Sequence, residues 1–353
     1  MKKKVFVPLI ALALALPLAS CGGENKSEVY YGFGSDATYE TDRGGNVQTT
    51  IKAASALFNK DGKILDLKVD SLQVKVKAEA LDVVLLNATG YNDEANTDIK
   101  SKFELRYDYN MKDTSANIGA IEGGAEWFEQ TIAFENWAVG KTVAEIEASI
   151  DENGDLVNGA EIGNTMTVSN TFVAIKEAYE NRKQAETAKE ESKVGVAMFT
   201  MHAPLQTTVK VGGAVYEGDK VAGSKVDSYQ IPYVINESVD EAEAPVFKVA
   251  INEERKQVDA VNTSVKSKED LQFDYNMKDT SANIGVIEGG AEWFEQAAAF
   301  EAYAIGKTAA ELKALELDEE GKPVNGGEIG TTMTVTSFLE LYEEAYEIAS
   351  QGR

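Results

Sequence analysis

Cysteine and histidine are all but missing from this chain. Cys21 is its only cysteine and His202 its only histidine among 353 residues. A disulfide, a thiolate iron–sulfur cluster and a Cys-x-x-Cys-His haem attachment each need more than one cysteine, so all three are excluded. One histidine rules out a two-histidine metal site and cannot serve a Ser-His-Asp or Cys-His machinery in two places. Net positive charge is lacking too. The formal charge of −25 opposes binding to nucleic acid and to anionic lipid surfaces, so no nucleic-acid partner is expected. The N-terminal apolar run, Val5 to Leu18, is broken by Pro8 and Pro17, and it falls short of the about 20 apolar residues that span a bilayer.

That run follows Met1-Lys2-Lys3-Lys4 and ends in Leu18-Ala19-Ser20-Cys21-Gly22, which resembles a bacterial lipobox. The resemblance implies a leader over residues 1–20, cleavage before Cys21, and diacylglycerol on the Cys21 thiol. The mature chain would be lipid-anchored at the extracellular face of the cell membrane. Loss of three lysines with the leader takes the formal charge from −25 to −28. Residues 21–40 are rich in Gly, Ser and Glu and read as a tether.

What the chain does have is a repeat. Residues 107–135, YDYNMKDTSANIGAIEGGAEWFEQTIAFE, recur at 273–301 with four differences over 29 positions and a shift of 166 residues. The flanks agree as well: QTTIKAASALF at 48–58 matches QTTVKVGGAVY at 206–216, and EIGNTMTVSNTF at 161–172 matches EIGTTMTVTSF at 328–338. A period this long indicates tandem domains of ordinary size, not a solenoid. We assign domain 1 to residues 41–185, a linker to 186–196 and domain 2 to 197–353. The expected fold class is α+β, with two homologous domains, each an antiparallel sheet with packed helices.

Each domain should open with a hairpin. Thr49–Phe58 and Ile64–Val76 flank an Asp61-Gly62 turn, and Thr207–Tyr216 and Lys220–Ile235 flank Gly218-Asp219. Residues 77–106 and 236–272 diverge most and should hold further strands and loops. In the helical half, Trp127, Thr131, Phe134 and Ala138 share one face, as do Trp293, Ala297, Phe300 and Ala304. Gly140 and Gly306 stop these helices, and Thr142-Val143-Ala144-Glu145 and Thr308-Ala309-Ala310-Glu311 are capping boxes for the next. The Gly-Lys-Thr at these junctions is therefore no phosphate-binding loop; Glu135 and Glu301 stand where such a loop needs glycine. Asp151-Glu152-Asn153-Gly154-Asp155 is likewise a turn and not a calcium loop, since Leu156 takes the required glycine's place.

Glu161-Ile162-Gly163-Asn164-Thr165-Met166-Thr167 and Glu328-Ile329-Gly330-Thr331-Thr332-Met333-Thr334 both stand at the start of a domain's last helix. They resemble the attachment segment of FMN-binding domains, Asp-x-x-Ser/Thr-Gly-Ala-Thr, in which the final threonine hydroxyl is joined to the FMN phosphate. Glutamate in place of aspartate, and Thr-Met in place of Gly-Ala, depart from that pattern. Together with Tyr-Asn-Met-Lys and Gly-x-x-Trp-Phe-Glu-Gln, both repeats are similar to the FMN-carrying extracellular electron-transfer lipoproteins of Gram-positive bacteria. The resemblance implies covalent FMN on Thr167 and on Thr334, two per chain. It implies a flavin transferase of the ApbE type, a membrane quinone-linked electron donor, and extracellular acceptors such as free flavin or ferric iron. The protein would be an electron carrier with no catalytic residues of its own. Asn110, Met111, Asn117, Ile118, Gly119 and Trp127 are the candidate ring-covering residues of domain 1. Asn276, Met277, Asn283, Ile284, Gly285 and Trp293 are those of domain 2, with Phe128 and Phe294 beside them. For the aromatics, a place in the core of an amphipathic helix stays open. A cofactor-free ligand-binding or structural surface lipoprotein also stays open, as does a leader that is itself a peptide signal.

Overall fold

The computed structural model describes residues 28–41, 47–79, 82–86, 99–203, 206–235, 248–251, 258–261 and 265–351. Cys21 and the leader lie outside the described residues. The fold is α+β and has two sheet-plus-helix units. In the first, strands β1 (Val29–Thr41), β2 (Val47–Asn59), β3 (Ile64–Glu79) and β4 (Asp82–Leu86) form an antiparallel meander, and β5 (Lys183–Gln184) joins its edge at β1. In the second, β6 (Lys193–Ala203), β7 (Gln206–Glu217) and β8 (Lys220–Ile235) repeat the meander. There β9 (Lys248–Ile251) pairs with β8 in parallel, and β10 (Val258–Val261) with β9 antiparallel. The expected hairpins are present, and each carries a register shift at the same place, Leu57/Phe58 and Val215/Tyr216.

Two of the expected boundaries need correction. Residues 29–40 are not tether but the first strand. Val29, Tyr31 and Phe33 alternate inward and are buried. Gly32 faces helix α6 (Ser169–Glu180) so closely that a Cβ there would lie 1.8 Å from the Ala178 carbonyl oxygen. Glycine looks like linker in the sequence, yet here it lets a helix lie on a strand; Gly195 against Ala345 repeats the contact. The stretch 186–196 is not free linker either, because β6 starts at Lys193 and Ala188, Val194 and Val196 are buried. Each unit therefore opens one strand before its hairpin.

The units do not keep wholly separate cores. The two sheets stack face to face, and one cluster joins Val29, Tyr31, Ile51 and Leu72 to Val194, Val209, Val211 and Tyr229. Hydrogen bonds cross the same junction: the Val194 amide donates to Asp66 Oδ2 at 2.9 Å, and Ser35 Oγ meets the Tyr229 hydroxyl at 2.8 Å. Helices cover the outer faces. In unit 1, α3 (Trp127–Ala138) and α6 pack over Ala54, Phe58 and Leu67. With both faces covered, Ala53–Phe58 is buried at every position, which hides the alternation a half-exposed strand would show.

Candidate functional site

The duplicated stretch folds as a turn, a short helix, a glycine loop and a long helix. Arg106–Tyr109 form a 3-10 turn closed by Asn110 at φ 56°, a conformation that asparagine tolerates better than most residues. Helix α2 (Lys112–Ile118) follows, and the loop returns beneath it at Gly124. Gly124 has φ +68°, and a Cβ there would lie 2.2 Å from the Lys112 carbonyl oxygen, so no other residue fits. Glu126 then caps α3 with Glu129 in a capping box, and its Oε2 also accepts from the Met111 amide at 2.8 Å.

Gln130 holds the site together. Its side chain is fully buried. Nε2 donates to Ser115 Oγ at 3.0 Å and to the Ala125 carbonyl at 3.1 Å. Oε1 accepts from the Thr165 amide at 2.8 Å and from its hydroxyl at 3.1 Å. One side chain thus ties α2, the glycine loop and the Thr165–Thr167 segment to α3. Gln296 does the same with Ser281, Ala291 and Thr332 in unit 2. A buried amide with two donors and two acceptor bonds satisfied tolerates few substitutions, which gives a structural reason for part of the repeat's near-identity.

Where these elements meet in unit 1 there is a cavity of about 210 Å³. Three of the residues expected from the sequence line it: Met111, Trp127 and Thr167. Met111 and Trp127 come from the duplicated stretch and Thr167 from the attachment segment. Asn110, Asn117, Ile118 and Gly119 do not line it. All four are exposed, and α2 turns them outward; Asn276, Asn283, Ile284 and Gly285 are exposed in the same way. Trp127 and Trp293 are both core residues, and Trp127 lines the cavity as well. Phe128 stacks edge-on against Phe103 and Tyr107 instead of facing the cavity. Thr167 and Thr334 are both exposed. Thr334 Oγ1 donates to the Glu320 carbonyl at 3.0 Å. Thr167 precedes α6, and the Val168 and Ser169 amides both donate to the Gly154 carbonyl, so the first donors of that helix end are engaged.

The sequence reading missed the cations. Lys52 on β2 and Lys102 on helix α1 (Lys102–Leu105) both line the cavity. Burial pushes each ammonium pKa down to about 8; a neighbouring lysine adds to this, and Asp36 and Asp70 respectively oppose it. Lys102 is buried, with Nζ 4.7 Å over the Tyr109 ring and 5.6 Å over Trp127. None of the ion pairs among the described residues involves either lysine. Lysines carry no periodic signal, so only the pairing of QTTIK with QTTVK could have drawn attention to Lys52.

A larger cavity, about 790 Å³, lies at the seam between the units and contains none of the expected residues. Tyr31, Phe33 and Ile305 give it apolar walls; Glu177, Asp227 and Glu301 line it with Lys183 and Lys225, and Lys225 pairs with Glu301 at 3.5 Å and with Glu269 at 2.9 Å. Burial raises the carboxyls of Glu177, Asp227 and Glu301, the first two to about 7. Among the described residues no group of three or more His, Cys, Asp or Glu could hold a metal ion, and no helix is long and apolar enough to cross a membrane. No known protein family, curated protein or solved structure matches the chain.

Proposed function

We propose that this protein is a lipid-anchored extracellular flavoprotein that carries FMN on Thr167 and Thr334 and relays electrons. A membrane quinone-linked donor would supply them, and free flavin or ferric iron would take them. One observation carries the reading. Met111 and Trp127 from the duplicated stretch and Thr167 from the attachment segment line one cavity with half-buried Lys52 and buried Lys102.

The residues present fit the group. Pockets for drug-sized ligands run to about 300–1,000 Å³, so about 210 Å³ suits a flat ring system with its chain and phosphate left outside. Trp127 and Tyr109 offer ring surface, and Lys52 and Lys102 offer positive charge. The exposed Thr167 hydroxyl at the rim is accessible to a flavin transferase. FMN would supply reversible electron transfer. The chain's own residues bind and orient the ring, exclude water from one side of it, and hold cationic charge beside it. Mass spectrometry of protein co-expressed with such a transferase should show two additions, each of FMN less one water. Thr167→Val and Thr334→Val should each remove one. Full loading of the double variant would refute the attachment sites, and an unmodified native chain would refute the function.

The seam cavity favours a second reading, capture of a small cationic ligand by a cofactor-free lipoprotein. Its size and apolar walls suit such a ligand, and Glu177, a lining carboxyl that Lys225 does not pair with, would meet its charge. Native protein without flavin, but with an amine bound in a manner sensitive to Glu177→Gln, would support that reading over the first.

A further inference from the structure

The two units share most of a cavity lining and differ at the residue, Thr171 in unit 1 and Phe338 in unit 2, that stands beside it. Ten of the thirteen positions that line it in unit 1 keep the same residue in unit 2. Counted without a gap, as the equivalent contacts of Gly32 with Ala178 and Gly195 with Ala345 require, the three that differ are Thr131, Asn164 and Thr171, whose counterparts are Ala297, Thr331 and Phe338. In unit 1 the apolar side chains around the cavity fall into two separate clusters. Trp127 and Met166 belong to one, and Phe134, Val168 and Phe172 to the other. In unit 2 the equivalents Trp293, Met333, Phe300 and Val335 form a single cluster with Phe338 inside it. Phe338 is fully buried, with its ring 6.3 Å from those of Trp293 and Phe300 and 4.4 Å under Lys210 Nζ. An aromatic ring of the protein thus fills in unit 2 the space that Thr171 leaves open in unit 1.

We infer that the units are functionally unequal: unit 1 encloses the ring of a flat, anionic heteroaromatic ligand, while Phe338 keeps the corresponding ring of unit 2 outside. The inference rests on the flavoprotein reading and sharpens it. Lys102 is buried with aromatic faces as neighbours, so a ring that enters unit 1 lies beside an ammonium group. In unit 2 Lys210 and Lys268 sit over Phe338 and over Tyr275 and Trp293, so the Phe338 ring stands among the equivalent groups. A ring that gains negative charge on reduction is favoured beside ammonium groups in a water-poor site. Unit 1 is therefore the more oxidising site, and electrons arriving at unit 2 pass on to unit 1.

The test uses the mature chain loaded by a flavin transferase, with Thr167→Val and Thr334→Val leaving one flavin in unit 2 or unit 1. Iodide quenching of flavin fluorescence should be at least threefold weaker for the unit 1 flavin, and its midpoint potential should be the higher. Thr171→Phe should bring unit 1 to the unit 2 values, and Phe338→Thr should do the reverse. Should Phe338→Thr unfold unit 2, the Thr171→Phe arm decides alone. Equal quenching and equal potentials on two loaded units would overturn the inference and leave the flavoprotein reading intact. Absence of the FMN mass from both units would overturn both.

Discussion

Replacing Gln130 by leucine tests whether one buried amide holds the site. The change keeps most of the side chain's bulk and removes four hydrogen bonds, to Ser115, Ala125 and twice to Thr165. Each contributes about 0.5–1.5 kcal/mol net, and a buried donor or acceptor left without a partner costs about 1–3 kcal/mol. The Thr165 amide and the Ala125 carbonyl would be left in that state. We therefore expect a loss of about 3–5 kcal/mol in urea denaturation, a large share of a typical domain's stability. Hydrogen exchange at the Thr165 amide should accelerate with it. Gln130→Glu keeps the acceptor towards Thr165 but loses the donor towards Ala125. Burial would raise that carboxyl's folded pKa above its unfolded value of about 4.3, so the folded state would hold the proton longer. The variant should then lose stability as pH rises above about 4. A cost below about 1 kcal/mol for Gln130→Leu, with Thr165 protection unchanged, would refute the reasoning. Gln296 would then need another explanation as well.

Two further outcomes are expected from unit 1. Burial lowers the Lys102 pKa from 10.5 to about 8, so the unfolded chain binds more protons between those values and wild-type stability rises with pH across that window. Lys102→Met removes its share of this rise, to which Lys52, Lys210 and Lys268 also contribute, and should stabilise the flavin-free protein by about 1–2 kcal/mol at pH 7, after allowance for lost contacts with Tyr109 and Trp127; thermal melts from pH 6 to 10 would show a shallower slope, and an unchanged slope would count against a buried cation there. Gly124→Ala combines a positive φ with a contact of 2.2 Å to the Lys112 carbonyl, and should cost about 2–4 kcal/mol in chemical denaturation. Gly123→Ala, where a Cβ meets nothing within 4 Å, should cost less, and the reverse order would argue against this loop geometry.

Local rules made much of this molecule readable from sequence. The repeat is visible by inspection. The helix face of Trp127, Thr131, Phe134 and Ala138 is buried as its spacing predicts. Thr142 caps its helix in a box with Glu145, and Gly140 stops the one before at φ +83°. The Asp151–Asp155 segment is a turn, closed by the Asp151 amide donating to the Asp155 carbonyl at 2.8 Å. Each of these depends on residues a few positions apart, and such patterns are written in the chain itself.

Contacts between distant residues had no such signature. The glycines of β1 read as tether because the helix they admit, at Ala178, lies more than a hundred residues further on. Stacking of the two sheets buries both faces of β2, so one shared core joins units that the repeat suggested were separate. Asn117 and Ile118 are candidate ring-covering residues by sequence, and α2 leaves both exposed. Lys52 and Lys102 reach the cavity from a strand and a helix remote from the duplicated stretch. By itself the sequence determined the duplication, the caps, the turns and the helix faces. Only the tertiary structure decided which side chains surround a space, and that Thr171 leaves it open where Phe338 fills it. The physical reason is that a cavity is a property of packing: it depends on volumes brought together from several elements, and no local spacing records their sum.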